Sequence, residues 1–117
     1  MAAKPVETEL PLTEANFLIL LALAGQPMHG YLIMQTINLV FRTGLQIGPG
    51  TLYRTLQQQV NAGTISEIDG AGDERDARRR RYAITRRGRE VARKELARLR
   101  ALYRLGSARI GTTHADA

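Results

Sequence analysis

The spacing of apolar positions along this chain changes several times, and each change marks a boundary. Residues 1 to 11 hold two prolines and show no period, which reads as a loose N-terminal arm. Thr13 then has the chemistry of a helix N-cap, Glu14 sits where the helix dipole favours an acid, and Gly25 with Pro27 supplies a stop. Together they predict a helix over 13–24. Its run Phe17, Leu18, Ile19, Leu20, Leu21, Ala22 and Leu23 is apolar on every side and needs cover on more than one face. In so small a domain, a partner subunit against residues such as Phe17 and Leu21 is the simplest cover.

A second helix is expected over 29–42, with Tyr31, Met34, Ile37, Val40 and Phe41 as its apolar stripe and Gly44 closing it. Gly48-Pro49-Gly50 breaks the chain and restarts it as a third helix over 51–62, ended by Gly63. Leu52, Leu56 and Val60 give that helix an inward face at i, i+4, i+8. Its other face carries Thr51, Arg54, Gln57, Gln58 and Asn61, many hydrogen-bonding groups and a single charge. A face meant only for water would normally carry Lys and Glu, so this one suits the edges of nucleic-acid bases.

Residues 64–68 and 80–84 alternate with period two around a Gly/Asp-rich stretch at 70–77, the pattern of a hairpin with a long tip. Thr85 then caps a last helix to about Leu105, whose Ala92, Leu96, Leu99 and Tyr103 recur at four, three and four, flanked by Val91 and Leu102, and form a seam suited to a helical partner. Residues 106–117 read as a frayed tail. The fold class is therefore mainly α with a small β-hairpin: a winged helix-turn-helix over 12–84 plus one C-terminal dimerisation helix over 85–105.

Composition narrows the function. The 117 residues, 44% hydrophobic, suffice for one core. The net charge of +6 lies entirely in residues 64–117, because Lys4, Arg42 and Arg54 balance Glu7, Glu9 and Glu14 before that point. All the basic residues except Lys4 and Lys94 are arginine, the side chain best suited to bidentate contact with phosphates and guanine edges. A basic face of this kind makes nucleic acid the first partner to consider.

The absence of cysteine removes disulfides, thiolate metal sites and a cysteine nucleophile. His29 and His114, the only histidines, lack the further ligands of a metal site, and His29 is better read as packing or capping beside the second helix. No nucleophile–base pair or carboxylate pair stands out, so neither an enzyme nor a cofactor is expected. The first ten residues lack the apolar run of a signal peptide, and Phe17 to Ala24 is too short to span a bilayer. A cytoplasmic protein without membrane contact is the expectation.

The densest charge run, Arg78 to Arg81 with Arg86, Arg87 and Arg89, has two readings. In a strand, Arg79 and Arg81 face away from Tyr82 and Ile84 and are available to DNA phosphate. Alternatively the run pairs with the wing acids Asp73, Glu74 and Asp76. Arg86 and Arg87 lie in a helix's first turn, where positive charge is disfavoured by about 0.3–1 kcal/mol each, so something negative belongs nearby. Tyr31 and Tyr53 suit a double role, ring in the core and hydroxyl on a phosphate. Gly50 and Thr51, at a helix N-terminus, offer free amides and a hydroxyl to an anion.

Four segments resemble the PadR family of transcriptional regulators over roughly residues 12–100. They are Leu18 to Pro27 leading into His29-Gly30-Tyr31; Gly50-Thr51-Leu52-Tyr53 with Leu56 and Gly63; Arg79-Arg80-Arg81-Tyr82; and Ile84-Thr85 with Gly88. The single short C-terminal helix looks like the family's compact subgroup. The resemblance implies a homodimeric repressor of double-stranded operator DNA bearing an inverted repeat. In such a protein the third helix enters the major groove, the wing touches the backbone or minor groove, and the last helix joins the protomers. It also allows a small aromatic or drug-like effector at the interface, although no tryptophan is present to stack on one. Arg54 stands where relatives usually carry proline, Leu32 where an acid is common, and Val60 where glutamate is frequent. An alternative of another class is a winged-helix module that docks on protein and does not read DNA.

Overall fold

The computed structural model describes residues 4–68 and 80–111. The elements run in chain order: a 3-10 turn Val6–Glu9, α1 Glu14–Gly25, β1 Met28–His29, α2 Gly30–Gln35 continued by a π-helical turn Thr36–Phe41, α3 Pro49–Ala62, β2 Ile65–Ile68, β3 Arg81–Ile84, and α4 Arg86–Ile110. The strands form one antiparallel sheet in the order β1-β3-β2, with Met28 opposite Tyr82 and Ile65 opposite Ile84. Helices dominate, and the sheet supplies the wing.

Thr13 caps α1 as its chemistry suggests, Oγ1 accepting from the Asn16 amide at 3.1 Å. The cover for this apolar helix comes mostly from its own chain, which corrects the expectation drawn from the sequence. Leu18, Ile19, Leu20, Ala22 and Leu23 are all buried among Ile33, Ile37, Leu52, Leu56, Ile65 and Val91. One stripe of α1, Phe17, Leu21 and Ala24 at i, i+4, i+7, is left partly or fully open.

Three further differences have local causes. The two residues of β1 are too few to show a period, and they pair with β3 more than fifty positions away. The end of α2 is wound as a π turn, closed by the Arg42 amide donating to the Ile37 carbonyl at 3.4 Å. The wider turn moves the stripe from Ile37 to Phe41, so Val40 faces out at 70% exposure. Arg42, in the left-handed region with φ 52°, is the residue that ends this helix, ahead of Gly44.

The N-terminal segment is fastened to the body, contrary to the loose arm expected. Glu7 pairs with Lys94 at 2.9 Å, Glu9 with Arg87 at 2.9 Å, and the Leu12 amide donates to Glu95 Oε2 at 2.9 Å. Its acids meet bases on one side of α4, a complementarity that periodicity does not show. Helix α4 continues to Ile110, beyond Leu105, because Gly106 falls within a helix whose last amide bond, Gly111 to Ser107, is intact at 2.8 Å.

Candidate nucleic-acid interface

Helix α3 has a buried side and an open side. Leu52, Thr55, Leu56 and Gln59 are buried, whereas Gly50, Thr51, Arg54, Gln57, Gln58 and Asn61 are exposed. The outward residues are thus the ones its period predicts. Gln57 Nε2 donates to Asn61 Oδ1 at 3.1 Å, which holds the two amides in line along the surface. No acid stands on this helix.

The start of α3 is set by the loop before it. Asn38 imitates a neighbouring strand: its Nδ2 donates to the Ile47 carbonyl and its Oδ1 accepts from the Ile47 amide, each at 2.9 Å. Pro49 occupies the first turn, where its missing N–H costs nothing, and among the described residues no side chain caps the helix. The first amides of α3 are therefore left without a side-chain partner beside the exposed Thr51, the arrangement of an anion site.

Tyr53 is half-buried and lies on Gly30. A Cβ at Gly30 would stand 2.7 Å from the ring and 2.9 Å from the hydroxyl, so only glycine lets Tyr53 approach the start of α2 this closely. That contact explains physically why His29-Gly30-Tyr31 and Thr51-Leu52-Tyr53 occur in one chain. Tyr31 itself is 53% exposed, more open than a ring half in the core would be.

The wing strands place Tyr82 in the core and Arg81 on the opposite face, beside His29. Burial, then the charge of Glu67, pushes the Tyr82 hydroxyl above its ordinary pKa. Arg80 pairs with Glu67 at 3.2 Å. Arg79 and the acids Asp73, Glu74 and Asp76 lie outside the described residues, and with them the pairing considered for the wing tip.

Arg87 spends its guanidinium on contacts within the chain. Its Nε donates to the Ala62 carbonyl at 3.0 Å, its Nη1 to the Lys4 carbonyl, and its Nη2 to Glu9. The negative end of α3 and the Glu9 carboxylate offset the cost of a cation in the first turn of α4. Two other functional positions escape a reading by period. Gly88 is required because a Cβ would fall 2.0 Å from the Thr64 carbonyl oxygen. Glu95, 1% exposed, accepts from Arg98 and from the Leu12 amide. The Arg98 bond holds its carboxyl below the usual range, and burial opposes that shift. Gly88, Val91 and Glu95 share the inward face of α4, one position out of step with the more conspicuous apolar seam.

That seam is open. Phe17, Leu21, Ala92 and Leu96 meet in a shallow groove of about 160 Å³ with Ala24, Ile84, Arg89 and Arg93. Leu99 continues it alongside Leu96, and Tyr103 is 58% exposed further along. The structure thus brings together four of the six residues expected at a dimer interface and strings the other two along the same helix. Among the described residues, no cluster suited to a metal occurs and no helix is long and apolar enough to cross a membrane.

Three helices around a mainly apolar centre, a small sheet at the place of a wing, and an exposed polar third helix define a winged helix-turn-helix domain. The sequence pattern of the transcriptional regulator PadR-like family matches residues 19–94. The chain belongs to that family. A PadR family transcription regulator from Clostridium difficile superposes with a TM-score of 0.70 at 20% identity, over 85% of this chain and 100% of the other. A transcriptional regulator from Clostridium thermocellum gives 0.69 at 22%, over 82% and 89%. A protein of Streptococcus mutans gives 0.62 at 26%, over 97% and 99%. An uncharacterised protein in a Streptomyces fradiae transposon is 35% identical over 82 residues, and the alignment takes in 70% of this chain but 22% of that protein.

Proposed function

We propose that this chain is a homodimeric, sequence-specific repressor whose α3 reads the major groove of an inverted-repeat operator. The observation that carries the reading is the outward face of α3, where Thr51, Arg54, Gln57, Gln58 and Asn61 stand exposed with Arg54 as the one charge. Arg54 suits guanine, the three amides suit adenine, and Gly50, Thr51 and the Tyr31 and Tyr53 hydroxyls suit the flanking phosphates. Arg81, with Arg79 beside it in sequence, serves the backbone or minor groove from the wing. Residues 12–84 act as the DNA-binding part, residues 85–105 as the dimerisation part.

The open stripe of α1 and the seam of α4 support the dimer: the side chains of Phe17, Leu21, Ala92, Leu96, Leu99 and Tyr103 leave an apolar surface that a two-fold copy would cover. An apolar small molecule entering this groove would shift the protomers and release DNA. Selection of tight binders from random duplex tests the reading. The expected outcome is an inverted repeat bound on the order of a thousandfold or more above random duplex, weakening steeply with salt. Equal binding to all duplexes, or none, contradicts it. In sedimentation, Leu96→Glu with Leu99→Glu should give a monomer; a persisting dimer would place the interface elsewhere.

A further inference from the structure

The carboxyl end of α3 is tied to the start of α4 through successive carbonyl groups. The Gln59 carbonyl accepts from the Thr64 amide and hydroxyl at 3.1 and 3.2 Å, and the Val60 carbonyl from the Gly63 amide at 3.0 Å. Beyond these, the Ala62 carbonyl takes Arg87 Nε at 3.0 Å, the Gly63 carbonyl takes Thr85 Oγ1 at 2.6 Å, and the Thr64 carbonyl takes the Thr85 amide at 3.1 Å. Gly63 and Thr64 thus close the last turn of α3 from within, while Thr85 and Arg87 at the start of α4 supply the donors for the carbonyls of residues 62–64. Of these ties only Arg87 also reaches a third body, since its remaining nitrogens hold the Lys4 carbonyl and Glu9 of the N-terminal segment.

We infer that Arg87 is a positioning residue that fixes the pitch of α3 against α4, and that Glu9 and Glu7 strap the N-terminal segment across this joint to keep it rigid. The inference rests on the proposal that α3 reads DNA and α4 joins the protomers. If α4 carries the two-fold axis, the angle at which α3 leaves α4 sets the distance between the two recognition helices, and so the half-site spacing the dimer prefers. Arg87 touches no base in this arrangement. It acts on operator choice through geometry alone.

Both members of the inner ion pair are largely withdrawn from solvent. The Arg87 and Glu9 side chains are 18% and 22% exposed, so this pair resists salt better than Glu7 with Lys94, at 64% and 43%. Losing Arg87 leaves the Ala62 carbonyl without its donor and the arm without its inner anchor, while the Thr85 bonds and the core beneath remain. The joint should therefore loosen without the domain unfolding.

The test uses the full-length dimer and a set of duplexes in which the selected half-site is unchanged and the spacer is varied by single base pairs. For the wild type the best spacer should exceed its one-base-pair neighbours by roughly tenfold, and for Arg87→Met by no more than about twofold. Base preferences within one half-site should stay the same in both. Arg87→Lys should restore much of the preference, and Glu9→Gln should fall between. Thermal unfolding of each variant runs in parallel, because a purely structural role would lower Tm and all affinities together while leaving the spacer ratio intact. An unchanged ratio in a folded Arg87→Met overturns the inference. A wild type with no preferred sequence overturns the underlying DNA-binding proposal instead, so the two failures are told apart.

Discussion

The two ends of α3 are built on opposite principles. At its amino end the helix has no side-chain cap, and Gly50 and Thr51 are exposed. At its carboxyl end Gly63 adopts a left-handed turn with φ 78°, and Thr64, Thr85 and Arg87 donate to the carbonyl groups there. Four orphan groups at a helix terminus normally call for partners, and here one end keeps its donors available while the Gln59, Val60 and Ala62 carbonyls at the other are taken up by the chain itself. The difference shows how one helix serves both as a ligand-facing surface and as a fixed part of a scaffold.

Substitutions at the two ends should therefore fail in different ways. The largest effect belongs to the closed end. Gly88→Ala puts a methyl group into the Thr64 carbonyl, backbone that cannot move aside, and should cost about 3 kcal/mol with a fall in Tm of about 12 °C or more. A Tm change of only a degree or two would mean that the joint is softer than its contacts suggest. At the open end Arg54→Ala should lower operator affinity by about 1–3 kcal/mol and relax preference at one position per half-site. Its melting curve should hardly move. Equal losses on operator and random duplex would make Arg54 a phosphate contact.

A smaller effect tests how far the closed end extends. Glu95→Gln weakens the bonds from Arg98 and the Leu12 amide and should cost about 1–2 kcal/mol at neutral pH. The folded carboxyl titrates below its unfolded value of about 4.3, so its stabilisation is full above that pH and disappears as pH falls through the folded value. The wild type should therefore lose stability on acidification more steeply than Glu95→Gln. Identical pH profiles for the two would remove Glu95 from the fastening of the arm.

The sequence shows these two ends unequally, for a physical reason. The open face of α3 follows from a period of 3.6, because Leu52 and Leu56 fix which side is inward and Arg54, Gln57, Gln58 and Asn61 must then face out. The same argument finds the Leu96–Leu99 seam of α4. The closed end is invisible to periodicity, since it depends on contacts between residues far apart, such as Arg87 with Ala62 and Gly88 with Thr64. An arginine in a charge run looks solvated until its partners are known, and the arm's acids find theirs on α4 more than seventy positions later. Most of the cover of α1 is hidden from periodicity for a related reason: a small sheet and three helices can enclose most of a helix when it runs through their centre.

The π turn at Thr36–Phe41 gives the chain a place where its length can change. A turn of this kind is an α-helix holding one residue more than its hydrogen bonding requires, and such a surplus is how an insertion enters a helix without breaking it. Deleting Leu39, which is 66% exposed, should let the segment relax to ordinary α winding with Ile37 and the Asn38 bonds to Ile47 retained. The same deletion inside α3 would rotate every later side chain by about 100° and turn Gln57 and Asn61 away from the surface they share. Insertions and deletions among relatives should accordingly collect at the end of α2 and be missing from α3; a folded, operator-binding Leu39 deletion is the laboratory form of that expectation, and an unfolded one refutes it.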